Sequence, residues 1–147
     1  MKKNVCSIGK ILFLSVSVAI FASSCSSKTV PFATSTVVPG TEGAVKVKKD
    51  NNQNYLIDLD IDHLPPSESL TPPKKSYVAW METKENGTKN IGQVTCSKGT
   101  FSKARKASLS TVSTFKPIRI YITAEENGSI ETPGSMVVLT TDSFKAK

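Results

Sequence analysis

Few side chains in this 147-residue chain have the type and spacing to do chemistry. His63 is the only histidine, so a Ser-His-Asp or Cys-His device would have to use it. It stands just before Leu64-Pro65-Pro66, at an expected strand end, and no Gly-x-Ser-x-Gly nucleophile elbow occurs. It therefore reads as a surface or capping histidine. Asp58, Asp60 and Asp62 invite a calcium reading, but calcium loops curl around the ion and bend at a glycine. On a straight strand, alternate carboxylates stand in a row about 7 Å apart and do not converge. A solvated strand face accounts for them. Cys96 follows Val94-Thr95 and reads as a small buried hydrophobe at a strand end, with Lys98 the nearby charge that could favour a reactive thiol. Zinc needs three or four nitrogen or sulfur ligands. No catalytic residue, metal or cofactor is expected.

The two remaining cysteines belong to the beginning of the chain. Lys2, Lys3 and Lys10 make a positive segment, and Ile11 to Ala22 an apolar one of suitable length for a secretory signal. A membrane-spanning helix would need about 20 apolar residues. The segment closes on Phe21-Ala22-Ser23-Ser24-Cys25, which resembles a bacterial lipoprotein signal with its lipobox. Ala22 takes the place where that pattern prefers leucine. The resemblance implies that residues 1–24 are removed, Cys6 with them, and that Cys25 becomes the first mature residue and carries acyl chains such as palmitate. Two inserted chains hold a protein stably, since each buried CH2 contributes about 0.8 kcal/mol. An ordinary secretory signal, with Cys25 a plain thiol, is the competing reading. No aspartate follows the cysteine, and Ser26-Ser27-Lys28 carries no acidic export patch. By resemblance to Gram-negative sorting rules, the expected site is the periplasmic face of the outer membrane.

Charge must be read on the mature part. The chain has 19 basic and 12 acidic residues, net +7, but the signal takes three lysines and no acid with it. Sixteen basic against twelve acidic residues leave +4, which weakens any nucleic-acid reading. Aromatic residues are few and form no stacking platform for bases. Lys98, Lys103, Arg105 and Lys106 cluster between expected strands. With Lys145 and Lys147 they could touch anionic headgroups, although a solvated loop explains them too. Cys96 has no partner for an intramolecular disulfide.

Residues 25–43 are rich in Ser, Thr, Pro and Gly and are expected to form a flexible tether. From Ala44 the pattern turns to period two. Val45 and Val47 alternate with Lys46 and Lys48, and Ile57, Leu59 and Ile61 alternate with the three aspartates. Pro65-Pro66 and Pro72-Pro73 bound a loop. Further strands are expected at Tyr77 to Thr83, Ile91 to Cys96, Ser108 to Ser113, Ile118 to Thr123 and Met136 to Thr140, with turns at Asn86-Gly87, Asn127-Gly128 and Pro133-Gly134. Helix signals are nearly absent. The expected fold is all-β: an antiparallel β-sandwich of about seven strands over residues 44–147, closing around Trp80, Ile120, Tyr121 and Val138.

The stretch from Tyr55 to Leu139 resembles a known domain. The pieces are Tyr55-Leu-Ile-Asp-Leu, Leu64-Pro65-Pro66, Lys75-Ser-Tyr77-Val-Ala-Trp80-Met-Glu, Gly87, Ile91-Gly92-Gln-Val, Ile120-Tyr-Ile-Thr-Ala-Glu125-Glu-Asn-Gly128-Ser, Thr132-Pro133-Gly134 and Met136-Val-Val-Leu139. In order and spacing they are similar to the extracytoplasmic C-terminal domain of anti-sigma-K factors. That family has a sigma-binding segment and a transmembrane helix ahead of this domain, where this sequence has the lipoprotein-type signal. The resemblance thus implies the fold and an envelope location, and does not imply sigma-factor inhibition. It carries over no functional residue.

The expected function is a non-enzymatic, lipid-anchored cell-envelope protein. It would meet the membrane through acylated Cys25 and bind or support an envelope protein partner through the sandwich, without nucleic acid. The alternative is a small-ligand carrier or sensor.

Overall fold

Apolar–polar alternation builds the first long hairpin of the chain. The computed structural model describes residues 27–98 and 105–146. In it β2 (Glu42–Lys49) pairs antiparallel with β3 (Tyr55–Asp62), opposing Val45 to Leu59 and Val47 to Ile57. These apolar residues, with Ile61, are buried, while Lys46 and Asp60 face water.

Among the described residues there are nine strands in two antiparallel sheets. Besides β2 and β3 they are β1 (Ser27–Pro31), β4 (Ser76–Thr83), β5 (Gly87–Gln93), β6 (Thr95–Lys98), β7 (Arg105–Ser113), β8 (Pro117–Glu125) and β9 (Val137–Thr140). One sheet runs β1-β2-β3-β7-β6 and the other β5-β4-β8-β9. Without β1, this is the Greek-key order of immunoglobulin-type sandwiches. The only helical turn among the described residues is a short 3-10 turn, Ser67–Ser69. The inner faces share one core, to which β3 gives Ile57, Leu59 and Ile61, β4 gives Tyr77, Ala79 and Met81, and β8 gives Ile120 and Ile122.

Two strands more than expected are present, for two reasons. The expected strand Ile91 to Cys96 breaks at Val94, whose N–H donates to the Tyr77 carbonyl at 2.9 Å. The chain crosses there from one sheet to the other, so β5 and β6 lie in different sheets. A bulge between Ala79 and Trp80 faces Gly92, whose φ of +131° suits glycine. A Cβ at Gly92 would stand 3.2 Å from Leu109 Cδ1.

The second addition corrects the tether. Residues 27–43, expected to be flexible, carry β1, which pairs with β2 from Ser27↔Lys48 to Pro31↔Ala44. Phe32 then bridges Thr141, and Ala33 N–H donates to the Thr140 carbonyl of β9 at 2.8 Å. The segment joins the free edges of both sheets. Val30 and Val38 lie in the core, Val38 only 2% exposed. Polar composition hid this because β1 buries a single valine, Val30, and takes its place from the open edge of β2.

Trp80 and Tyr121 also differ from expectation. Ile120 and Val138 are in the inter-sheet core, but Trp80 and Tyr121 sit with Val78 on the outer face of the second sheet. Trp80 is nevertheless 0% exposed, because the β8–β9 connection folds over it and Ile130 packs there. Asn90 Nδ2 holds that connection by donating to the carbonyls of Gly128 and Ile130, at 3.1 and 2.7 Å. Underneath, Trp80 Nε1–H donates to Thr123 Oγ1 at 2.7 Å, Thr123 donates to Glu125 Oε1, and Gly134 N–H donates to the same carboxylate at 2.7 Å.

Two substitutions test these corrections by urea unfolding. Val38→Ala is expected to cost about 2 kcal/mol, whereas Val112→Ala, on an exposed site, should stay within about 0.5 kcal/mol. Thr123→Val is expected to cost about 1–3 kcal/mol by leaving the buried Trp80 N–H without an acceptor.

Candidate functional site

The sandwich has two poles, and the residues that could do chemistry divide between them. At one pole β3 ends, β4 and β7 begin, and β9 begins. A cleft of about 340 Å³ opens here between the Pro66–Glu68 turn, the start of β4 and the β5–β6 crossover. Lys75, Ser76 and Tyr77 form one wall, and Gln93 to Cys96 the other. Ser76 Oγ is buried and has no hydrogen-bond partner. A buried hydroxyl without a partner carries a desolvation cost that a polar ligand would relieve.

Cys96 was expected to be buried. It is exposed, because β6 is an edge strand and Cys96 pairs only with Ala107. Loss of solvent in the cleft, then the Glu68 carboxylate, raise its thiol above the ordinary value, against the opposing effect of Arg105. Tyr77 is raised further, by burial first and by Cys96 and Glu68 second, and its hydroxyl donates to the Pro65 carbonyl at 3.0 Å. These shifts keep both groups protonated at neutral pH, the opposite of what an attacking thiolate needs.

Beside this cleft lies a second one of about 520 Å³, lined by Val37, Pro39, Pro65, Leu70 and Met136 with His63 at its side. His63 is exposed, and its backbone carries the contacts. Its N–H donates to the Arg105 carbonyl at 2.7 Å, and its carbonyl accepts from Thr41 Oγ1 at 3.1 Å. The three aspartates run along β3. Asp58 accepts from Ser110 Oγ, and Asp62 meets Lys106 Nζ at 3.3 Å across the strand pair.

The described members of the basic group stand apart. Arg105 and Lys106 stand at the pole of the clefts, while Lys145 stands at the other. Lys103, Lys147 and the side chain of Lys98 lie outside the described residues, as do the signal segment 1–24 and Cys25. Glu68 and Ser76, which shape the first cleft, carried no sequence signal. The long β3–β4 connection folds them together.

No known protein family matches this chain, and neither a curated protein nor a solved structure is similar enough to count as a match.

Alkylation of Cys96 by iodoacetamide is expected to be slower at neutral pH than that of free cysteine, and to accelerate as pH rises toward its raised pKa. Thiol loss followed by mass spectrometry gives the rate. A rate at neutral pH equal to or above that of free cysteine would count against the raised thiol.

Proposed function

We propose that the chain is a non-enzymatic, lipid-anchored protein of the cell envelope, held through acylated Cys25, that binds or supports another envelope component through its sandwich. The observation that carries this is the junction at Cys25. A lysine-led apolar segment ends on Ala22-Ser23-Ser24-Cys25, and two residues later, at Ser27, the folded sheet begins. A folded domain placed directly behind a lipobox fits cleavage at the cysteine. The periplasmic face of the outer membrane is the proposed site, and likeness to the extracytoplasmic domain of anti-sigma-K factors is proposed for the fold and not for sigma-factor control. The clefts beside Cys96 and His63 are the proposed partner-facing surface. They open at the pole away from Ser27, where the exposed Val37 and the apolar cleft wall are available.

Cys25→Ala is expected to remove the acyl mass from the mature protein and to abolish its partition into the detergent phase of membrane extracts. An unchanged mass and partition would sink the anchor. Pull-down from solubilised membranes, with a variant altered at Val37 and Leu70 as control, then tests the partner surface.

A small-ligand carrier or sensor is the second reading. The unpartnered Ser76 Oγ at the wall of the first cleft favours it. A ligand drawn from envelope extract should slow Cys96 alkylation, and extract without effect on that rate would remove this reading.

A further inference from the structure

The pole opposite the clefts is where the chain enters the fold. Ser27 pairs with Lys48 at the end of β2, and the same end of the sandwich carries the turns β2–β3, β4–β5 and β7–β8 and the C-terminal Phe144–Lys145. One residue, Ser26, separates Ser27 from Cys25, and the two steps between them span at most about 7 Å. An acyl group on Cys25 would therefore hold this pole close to the headgroups.

Its surface chemistry suits that position. Lys48 and Lys49 end β2, Lys84 and Lys89 flank the β4–β5 turn, Lys116 is in the β7–β8 turn and Lys145 lies beside it. Among the described residues the ion pairs are Lys74–Glu126, Lys106–Asp62 and Arg119–Glu82, and none uses a lysine of this pole. The acids here are Asp50, Glu82, Glu85 and Asp142; Glu82 is paired with Arg119 at 3.4 Å, and Asp50 is engaged by the backbone N–H groups of Asn52 and Asn54. Between the lysines stand exposed apolar groups, Val112 at 61% and Phe115 at 39%. Lys89 Nζ lies 5.8 Å from the Phe115 ring centre. Phe115, Ile118, Lys84, Lys116 and Lys145 together line a groove of about 530 Å³.

We propose that this pole is a membrane-contact surface for anionic phospholipid headgroups. The lysines engage headgroup phosphates, and Phe115 and Val112 enter the interfacial layer. Basic residues at an anionic surface each strengthen binding about fivefold, long lysine stems let the charge reach upward from an apolar base, and aromatic rings favour the interfacial depth. The orientation rests on acylation of Cys25 as proposed above, while the lipid chemistry of the pole does not.

The test uses the acylated mature protein bound to vesicles of phosphatidylcholine, with or without phosphatidylglycerol. Hydrogen exchange is read at residues 84–89 and 114–116, with 66–70 as the far-pole control. Phosphatidylglycerol is expected to slow exchange at the first two segments only, with the effect lost in high salt and in Lys84→Gln/Lys116→Gln. In parallel, the mature chain with Cys25→Ser is sedimented with the same vesicles. Its partition onto phosphatidylglycerol should fall roughly thirty-fold on neutralising the two lysines. Lys89→Gln/Phe115→Ser serves as a second variant, and circular dichroism verifies the fold of each. If wild-type protein lacks the acyl mass, the anchor alone fails, and sedimentation still decides the lipid surface. Acylated, vesicle-bound protein whose 84–89 and 114–116 amides ignore phosphatidylglycerol overturns the proposal, as does a Cys25→Ser chain indifferent to it.

Discussion

The structure depends on how the first described residues close the sandwich. Two packed sheets leave edges with unpaired N–H and C=O groups, and an exposed edge invites pairing with other chains. Here one stretch deals with an edge on each sheet. β1 pairs along β2, and its continuation at Phe32 and Ala33 reaches β9 of the other sheet. On the opposite side the chain itself steps between sheets at Val94. With both sides stitched, the inner faces cannot slide apart without breaking main-chain hydrogen bonds. The inter-sheet core of Ile57, Leu59, Ile120 and Ile122 is held in register as a result.

The central strands of the second sheet, β4 and β8, are buried on both faces. β4 reads buried from Ser76 through Met81, without the alternation seen in β3. Its inward residues meet the first sheet, and its outward Val78 and Trp80 are roofed by the β8–β9 connection. A roof made of loop must satisfy polar groups that water no longer reaches. Asn90 bonds the loop carbonyls, and the chain Trp80–Thr123–Glu125–Gly134 satisfies the groups below. A Cβ at Gly134 would stand 2.6 Å from Glu125 Oε2, so a larger residue there would have to displace that carboxylate. The Pro133-Gly134 element is thus a lid fastening and more than a turn.

Strands with one wet face were legible in the sequence, because alternation reports that geometry directly. β2 and β3 appear where Val45, Val47, Ile57, Leu59 and Ile61 placed them. Position relative to the second sheet was not legible. Trp80 has the same pattern whether it faces the other sheet or a covering loop, and only the length and path of the β8–β9 connection decide. β1 was hidden for a related reason, since its pairing is set by the open edge of β2 and its own residues are mostly exposed. The candidate sites show the same division. His63 and the aspartates could be located at a strand end and on a strand face from sequence, whereas Cys96 could not, because the chain changes sheets just before it. The cleft around Ser76 and the split of Arg105 from Lys145 arise from connections that bring distant residues together or carry near ones apart.

The absence of slack before β1 changes what an anchor at Cys25 would do. A tether of many residues would leave the domain free to turn, so every face would sample the membrane and the space beyond it. With one residue between Cys25 and the sheet, an anchor there would restrict rotation and make the poles unequal. β8 has nine residues, and at about 3.3 Å per residue the sandwich stands roughly 30 Å tall. The clefts beside Cys96 and His63 would then open about that far above the headgroups, facing away from them. A partner meeting those clefts must reach to that height, and one lying flat on the bilayer would meet the lysine pole instead. With Cys25 acylated as proposed, the short junction would act as a specificity element, selecting partners by distance from the membrane as well as by surface chemistry.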